Sequence, residues 1–435
     1  TSGNRSDEPI CIDEYEARER LVDIADFFLV HNRPIVRPVD DSVVRIALGS
    51  ELILRRSRGY APLPITMREE SEPILAVGAH LKNTVALASG SNIFISQHIG
   101  DLETPQAFAA FEHTADALQR LYDAKPRVVA CDLHPDYLST QYAHRISASP
   151  LAVQHHHAHI AACIAEHQLT GDVLGICWDG TGFGPDGTIW GGEFLRAASS
   201  HYQRIAHLKT FPLPGGSRAV KEPRCTAFGL LYEAFGQKAL DMDELAPIRS
   251  FTMSERRAMA RMIERQVNSP RTSSAGRLFD AVASLLDLRH TAQFEGQAAI
   301  ELEFLTGDIA AETPYPFALD ESAEVLQLDW TATIRAIVGE LRSGTPRAVI
   351  ATRFHLTLIE MIHTVVERQA MKHIVLTGGC FQNLILLEGA AHRLQSAGSA
   401  VYWPQHVPPN DGAIALGQDV VAGARLREQE SMSCV

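Results

Sequence analysis

An α/β fold is predicted by two observations on the sequence. Helix-type and strand-type segments alternate from about residue 345 onward, as in folds that cover a sheet with helices. Residues 74–87 and 173–195 both resemble a strand, a turn and a strand, which indicates a weak internal repeat. Each copy would open one half of a duplicated α/β lobe. At 435 residues, the chain is long enough for two or three hydrophobic cores.

The chain is divided into four parts by changes in composition. Residues 1–64 are rich in turns and charge, contain an amphipathic stretch and form a small unit. Residues 65–72 are polar and are assigned to a linker, and residues 73–425 form the main domain. Residues 426–435 are expected to be a frayed tail, since chain ends are held by few contacts.

Within the main domain, apolar periodicity predicts several helices and strands. Helices are expected over most of 105–124, 136–168 and 222–310, and a longer one over 356–372. A strand at 374–379 is expected to enter a glycine turn.

The overall composition limits the classes of function. The net charge of −13 provides no electrostatic footprint for nucleic acid, so none is expected as a partner. No apolar run reaches about 18 residues, so we expect no membrane span. The seven cysteines are scattered and contain no Cys-x-x-Cys, which favours reduced thiols in the cytoplasm over disulfides or a cysteine zinc site.

A cluster of histidines, His155-His156-His157-Ala158-His159, precedes a run of good helix formers. His155 and His159 are four residues apart and would share one face of that helix, where both imidazoles can reach one metal ion. His156 and His157 point elsewhere, toward supporting contacts or solvent. The alternative is a polar helix start with solvated histidines. Two histidines are too few for a complete site, so carboxylates are expected to join them.

Asp179 is one candidate carboxylate, since it ends a predicted strand in the sequence Asp-Gly-Thr-Gly. The amides of Gly180, Thr181 and Gly182 are also suited to cradling a phosphate. Asp-Gly equally favours an ordinary hairpin turn, and this alternative stays open. Asp411 is the second candidate, either as an oxygen ligand or simply as a helix N-cap.

Another turn with two glycines, Thr377-Gly378-Gly379, lies between a strand and a helix that follows Asn383. Glycines there allow a nucleotide to approach the backbone closely, although a tight structural turn explains the pattern equally well. The polar loop 213–224 and the segment around Glu295 are weaker candidates, for contacts with phosphates and with a ribose or base. For both, a structural loop is the better interpretation from the residues alone.

Taken together and in this order, these segments resemble one family. They are Gln154–His159, Trp178–Gly182, Ser274–Asp280, Phe294–Ala299, Thr377–Asn383 and Asn410–Gly412. They are similar to HypF, the carbamoyltransferases of NiFe-hydrogenase maturation. The opening Thr1-Ser2-Gly3-Asn4 and Arg58-Gly59-Tyr60 resemble the end of that family's YrdC-like domain. The resemblance covers nearly the whole chain.

The resemblance implies an α/β fold in which a partial YrdC-like domain (1–64) precedes a duplicated, actin/sugar-kinase-like Kae1-like domain of two lobes (73–425). It implies that one iron or zinc ion is held by His155, His159, Asp179 and Asp411. Contacts with ATP, with magnesium as a possible companion, are implied for Gly180, Thr181, Gly182, Gly378, Gly379, Asn383 and Glu295. In the YrdC-like part, carbamoyl-adenylate would contact Ser2, Asn4 and Arg58.

The activity implied is carbamoyl transfer. In the family, carbamoyl phosphate and ATP yield carbamoyl-adenylate, and the Kae1-like domain passes the carbamoyl group to the C-terminal cysteine thiol of HypE. No nucleophile from this chain is then required. The acylphosphatase domain, the zinc-finger region and the front of the YrdC-like domain have no counterpart in this sequence, so carbamate formation and adenylation are not expected from it alone.

Three other functions remain as alternatives. Two are related reactions, namely threonylcarbamoyl transfer to tRNA and carbamoylation of a small-molecule hydroxyl. The acidic balance and the fused YrdC-like part weigh against the tRNA reaction. The order of the domains weighs against the small-molecule reaction, for which the YrdC-like part would follow the Kae1-like part. The third, from another class, is a non-catalytic scaffold that only docks HypE, and it would retain docking after the loss of metal binding.

Overall fold

The computed structural model of the chain describes residues 3–5, 8–307 and 313–433. The described chain divides into two compact units. Unit 1 contains residues 1–171, 197–201 and 403–435, and unit 2 contains residues 172–196 and 202–402.

The helices follow this order: α1 (Glu14–Arg20), α2 (Pro105–Leu121), α3 (Leu138–Ile146), α4 (His155–Glu166), α5 (Ser217–Lys221), α6 (Pro223–Phe235), α7 (Ala246–Arg249), α8 (Met253–Glu264), α9 (Ala275–Leu285), α10 (Gln297–Thr306), α11 (Thr331–Arg342), α12 (Arg347–Gln369), α13 (Leu384–Ser396) and α14 (Ile414–Ser433). Short 3-10 helices occupy Gly236–Asp241, Gly379–Gln382 and Asp411–Ala413.

The strands are β1 (Val43–Ala47), β2 (Ser50–Arg55), β3 (Pro64–Ser71), β4 (Ile74–Ala76), β5 (Ala86–Ile95), β6 (Val128–Asp132), β7 (Leu151–Val153), β8 (Val173–Trp178), β9 (Gly192–Ala197), β10 (Tyr202–Leu208), β11 (Phe211–Pro212), β12 (Arg271–Thr272), β13 (Ala318–Asp320), β14 (Leu326–Asp329), β15 (His373–Thr377) and β16 (Ala400–Tyr402).

Unit 1 is built on a five-stranded sheet in the order β3-β5-β4-β6-β7. The central strand β4 pairs antiparallel with β5 and parallel with β6, and every residue of β4 is buried. Helices α4 and α14 pack against each other beside this sheet. Their approach is so close that a Cβ on Gly417 would lie 1.8 Å from the carbonyl oxygen of Ala158. Only glycine therefore fits at this point of α14.

Unit 2 is built on a seven-stranded sheet in the order β13-β14-β10-β9-β8-β15-β16. Strands β8, β15 and β16 run parallel, and β8 is buried along its whole length. Helix α12 is long and apolar enough to span a membrane by length and composition, but 67% of its apolar window is buried inside the protein. Its apolar residues therefore serve as core residues of unit 2.

The predicted α/β class is confirmed. The helix expected over 356–372 begins earlier, since α12 spans Arg347–Gln369, and β7 separates two helices within 136–168. Two assignments of the domain organisation also differ. Residues 65–72 are not a linker, because β3 (Pro64–Ser71) pairs with β5 in the sheet of unit 1. The tail from 426 is helical as far as Ser433, since α14 continues through it.

Candidate metal centre and nucleotide-binding turns

The histidine cluster forms the first turn and a half of α4. Gln154 caps the helix, because its side-chain oxygen accepts a hydrogen bond of 2.9 Å from the backbone N–H of His157. The four-residue spacing brings the rings of His155 and His159 to 5.0 Å between centroids. Both side chains are fully buried in unit 1. The alternative of solvated histidines at a helix start is therefore wrong.

Asp411 joins these two histidines in unit 1. Its Oδ1 lies 3.5 Å from Nε2 of His155 and 3.7 Å from Nε2 of His159. Two atoms that bind one tetrahedral metal at about 2.1 Å are about 3.4 Å apart, so the observed spacing fits such an ion. Two imidazoles and a carboxylate form a donor set that suits zinc or iron(II). The backbone N–H groups that Asp411 was expected to cap are served by Asn410, whose side chain accepts from Gly412.

Asp132 supports this cluster and was missed by sequence reasoning. It is buried at the end of β6, and its Oδ2 lies 2.7 Å from Nδ1 of His155. A carboxylate at Nδ1 fixes the tautomer and the orientation of a metal-binding imidazole and makes its Nε2 a better ligand. The sequence signal available was an acidic residue directly after a buried strand, which is the same signal that selected Asp179.

The two intervening histidines make structural contacts. His157 Nε2 lies 2.8 Å from the carbonyl oxygen of Ala198, and His156 Nδ1 lies 3.1 Å from the side-chain nitrogen of Gln154. Burial lowers the pKa of His157 to about 4, so that ring is neutral at physiological pH. His156 and His157 were expected to face either supporting contacts or solvent. Both make contacts inside the protein, and neither faces solvent.

In unit 2, Asp179 directly follows β8 and is buried. Strands β8 and β15 are parallel neighbours with Cys177 opposite Thr377, so the turns that follow them meet at one edge of the sheet. The Oδ1 atom of Asp179 accepts hydrogen bonds from the N–H of Gly180 at 2.8 Å and of Gly379 at 3.2 Å. The carboxylate of Asp179 thus accepts hydrogen bonds from two turns that are far apart in sequence.

Gly378 is required at this junction. Its φ of +96° is disfavoured for residues with a side chain, and a Cβ would lie 2.3 Å from the carbonyl oxygen of Trp178. A Cβ on Gly379 would likewise lie 2.8 Å from Oδ1 of Asp179. The two glycines allow the backbone after β15 to approach the end of β8.

Glu295 also borders the Asp179 turn, because its Oε1 lies 3.7 Å from the position of a Cβ on Gly180. Thr181 is half-buried, and Gly182 accepts a backbone hydrogen bond from Trp190. Unit 2 therefore brings together Asp179, Gly180, Gly379 and Glu295, four of the residues to which the family resemblance assigns a role.

Asn383 lies near this group but its side chain is engaged elsewhere. Its Oδ1 caps α13 by accepting from the N–H of Leu386 at 3.0 Å, and its Nδ2 lies 2.9 Å from Nε2 of His355. The Nδ1 of His355 lies 2.8 Å from the carbonyl oxygen of Ala351. Nδ1 therefore carries the proton, and Nε2 accepts from Asn383.

Loop 213–224 contains the short helix α5, and its arginines are paired. Glu222 accepts hydrogen bonds from Arg218 at 2.6 Å and from Arg224 at 2.8 Å. The hydrogen bond from Arg218 is the main factor that lowers the pKa of Glu222. A phosphate-binding role would require these arginines to leave Glu222.

The three residues predicted in the YrdC-like part have separate surroundings. Asn4 donates to the carbonyl oxygen of Glu8 at 3.1 Å. Arg58 donates to the carbonyl oxygen of Val39 at 3.1 Å, and its side chain is 69% exposed. Ser2 lies outside the described residues.

Comparison with family models places this chain among the Kae1-like carbamoyltransferases. The model described as "Carbamoyltransferase, Kae1-like Domain, second subdomain" matches residues 175–418, and the model described as "HypF Kae1-like domain" matches residues 69–166. Residues 1–57 match the Sua5/YciO/YrdC model, described as "Telomere recombination". The chain belongs to the HypF carbamoyltransferase family.

Individual relatives agree with this assignment. Carbamoyltransferase HypF of Synechocystis is 45% identical over 96% of this chain and 56% of its own length. A carbamoyltransferase HypF homolog of Cupriavidus necator is 37% identical over 80% of this chain and 91% of its own. A crystal structure of full-length HypF in a phosphate- and nucleotide-bound form matches with a TM-score of 0.93 at 41% identity, over 98% of this chain and 67% of that one. The chain spans about half the length of the Synechocystis relative.

Proposed function

We propose that this chain transfers a carbamoyl group from carbamoyl-adenylate to the C-terminal cysteine thiol of a HypE-type protein. In this step a sulfur–carbon bond forms, the bond between the carbamoyl carbon and the phosphate oxygen breaks, and AMP leaves with the electron pair. The thiol proton is lost to solvent or buffer. The observation that carries the proposal is the convergence of His155, His159 and Asp411, supported by Asp132, in a chain of the HypF family.

The metal we propose is a single iron or zinc ion. Asp179 is our proposed fourth ligand, because it is a buried carboxylate whose Oδ1 is held by two backbone amides. A bound cation supplies a Lewis acid that polarises the carbamoyl carbonyl. His155, His159, Asp411 and Asp179 would hold that ion, and Asp132 would keep the ring of His155 in the metal-binding tautomer.

The nucleotide site we propose is formed by the two glycine turns of unit 2. Gly180, Thr181 and Gly182 would contact a phosphate, and Gly378 and Gly379 would allow the nucleotide close to the backbone. Glu295 beside Gly180 suits a ribose hydroxyl. For Asn383, the capping contacts favour a role in holding the turn over direct contact through its side chain. ATP would bring magnesium, and Ser2, Asn4 and Arg58 remain our candidates for contacts with carbamoyl-adenylate in the YrdC-like part.

An acceptor thiol from a partner agrees with the state of this chain's own cysteines. Burial raises the pKa of Cys131 to about 12 and that of Cys225 to about 11, and it raises the pKa values of Cys163 and Cys380 well above their usual range. These thiols stay protonated at neutral pH and are therefore poor nucleophiles. Cys11, Cys131, Cys163, Cys225 and Cys380 are free thiols, which also favours the cytoplasm as the location.

The test is mass spectrometry of a HypE-type protein incubated with this chain, metal and a carbamoyl donor. Carbamoyl-adenylate is expected to add one carbamoyl group to the acceptor, and carbamoyl phosphate with ATP is expected to add none. An acceptor whose C-terminal cysteine is replaced by serine is the control. If the intact acceptor gains no carbamoyl group from either donor but still binds the chain, the docking scaffold is the better account. A gain of mass by a small hydroxyl compound alone would support the O-carbamoyl alternative.

A further inference from the structure

The segment Ser274–Asp280 has no role in the proposed reaction so far, yet it is fixed against the Asp179 turn. Ser274 caps α9, since its Oγ accepts from the N–H of Arg277 at 3.1 Å. The same hydroxyl lies 2.7 Å from the carbonyl oxygen of Asp179, to which Gly276 also donates its backbone N–H at 3.1 Å. A Cβ on Gly276 would lie 2.8 Å from the Cα of Gly180. The first turn of α9 therefore supports the proposed phosphate turn directly.

This contact places a buried guanidinium beneath Gly180. The side chain of Arg277 is 5% exposed, and its Nη2 lies 3.4 Å from the position that a Cβ on Gly180 would occupy. Gly180 itself is only partly buried. The cation thus lies next to the backbone of the turn without being covered by a side chain at position 180.

The contacts of Arg277 within the protein use only part of its hydrogen-bonding capacity. Its Nη2 pairs with Asp280 at 3.1 Å, and its Nη1 lies 3.5 Å from the carbonyl oxygen of Val220, which is a weak hydrogen bond. Its Nε is buried and makes no hydrogen bond to any residue that the structure describes. A buried arginine normally engages most of its five N–H groups, because unsatisfied buried donors are costly.

Arg256 shows what a structural buried arginine of unit 2 looks like. It is 6% exposed and pairs with Asp243 at 2.7 Å, and its Nη1 donates to the carbonyl oxygen of Leu240 at 2.8 Å. Both contacts are shorter than those of Arg277. The Nε of Arg256 is also buried and makes no hydrogen bond to a described residue, so the two arginines differ in their Nη contacts and not at Nε. Arg256 lies in α8, and its described contacts include no glycine turn. It is therefore a matched control for a buried arginine that binds no phosphate.

We infer that Arg277 binds the phosphate of the adenylate nucleotide at the Gly180–Gly182 turn. The inference rests on the proposed function, which places a nucleotide there. A planar guanidinium can donate two parallel hydrogen bonds to a phosphate, and the turn amides can donate to its other oxygens. Asp280 then holds the guanidinium in position, and the cap by Ser274 sets the distance between α9 and the turn.

The experiment compares the binding of AMP and of adenosine by calorimetry, using the full chain. Arg277→Lys retains the charge that balances Asp280 but loses the planar fork. Loss of charge-assisted hydrogen bonds should weaken AMP binding by about 10- to 100-fold and leave adenosine binding unchanged. The double variant Arg277→Met/Asp280→Asn, which leaves no isolated buried charge, should show the same selective loss. Arg256→Lys should leave the binding of both compounds as in the unsubstituted chain.

Two other outcomes overturn the inference in different ways. Arg277 only stabilises α9 if Arg277→Lys and the double variant weaken the binding of AMP and of adenosine equally. The same conclusion holds if they weaken the binding of neither compound. The proposed nucleotide site would then still stand, because the unsubstituted chain binds AMP. If the unsubstituted chain binds neither compound, the nucleotide part of the proposed function fails together with the inference.

Discussion

The two units have sheets of the same core arrangement but different chemistry at their strand ends. In unit 1 the order is β3-β5-β4-β6-β7, and in unit 2 a corresponding set, β10-β9-β8-β15-β16, carries two added strands at one edge. In each set the central strand, β4 or β8, has two parallel strands on one side. In unit 1, β6 ends with Asp132, whose carboxylate contacts His155, whereas in unit 2, β15 is followed by Gly378, which lets the backbone approach the end of β8.

The residues that form the two sheets differ from the residues that form the proposed sites. Buried apolar strands and packed helices produce both sheets, and the chemistry depends on a few residues just beyond the strands. The ligand side chains of unit 1 favour a metal, and the glycines and buried arginine of unit 2 favour a phosphate. Substitutions of the histidines should therefore weaken metal binding, and substitutions of Arg277 should weaken nucleotide binding.

The largest effect is expected from removal of a metal ligand in unit 1. His159→Ala should reduce bound metal to background, since it removes one of the two imidazole ligands of the proposed site. His157→Ala is the matched control on the same helix, because His157 contacts the carbonyl of Ala198 instead. Metal analysis after reconstitution measures both. Full metal occupancy in the His159→Ala chain would contradict the assignment.

The next largest effect is expected at the glycine turn of unit 2. Gly378→Ala should lower the free energy of unfolding by about 3 kcal/mol or more, because the new Cβ meets a carbonyl oxygen in a disfavoured conformation. Gly344→Ala, with a φ of +74° but open space around it, should cost only about 1 kcal/mol. Denaturant unfolding measures the pair. Equal losses would mean that close approach to β8 is unimportant.

A smaller effect is expected from the carboxylate that orients His155. Asp132→Asn should weaken metal binding by about 10- to 100-fold without abolishing it, since the first ligands remain. Asp136→Asn, an exposed neighbour on the same loop, should have no effect. Competition with a chelator of known affinity measures the change. An unchanged affinity in the Asp132→Asn chain would remove Asp132 from the site.

The smallest effect is a pH dependence of unit 2. Burial lowers the pKa of His355 below its usual 6.5, so the unfolded chain takes up that proton more readily than the folded chain. The stability from this neutral histidine is present above pH 6.5 and is lost below it, by at most about 1.4 kcal/mol per pH unit. His355→Gln retains an acceptor for Asn383 and should reduce this dependence. The prediction would be contradicted if the free energy of unfolding changed by the same amount in both chains between pH 5 and 7.5.

Sequence patterns predicted the helices well and the exposed strand poorly. Strand β3 was assigned to a linker because it lies at the edge of its sheet and is mostly exposed, so its residues are polar. The spacing of His155 and His159 predicted their shared face, because that relation is local to one helix. The position of Asp411 beside them was implied only by family resemblance, since long-range contacts leave no periodic signal.

Residues that act through others were the hardest to predict. Asp132 and His355 each contact one functional residue and have no motif of their own. Arg277 was part of a recognised segment, but its burial beneath Gly180 depends on how α9 packs. A single aspartate or arginine in a sequence is most often a surface residue, so only packing distinguishes these.

Anomalous diffraction from crystals of the zinc-loaded chain tests the central claim most directly. One zinc peak is expected at about 2.1 Å from the Nε2 atoms of both His155 and His159, with oxygens of Asp411 and Asp179 as the further ligands. A peak at another site, or a zinc ion bound through Nδ1 of His155 in place of Asp132, would contradict it.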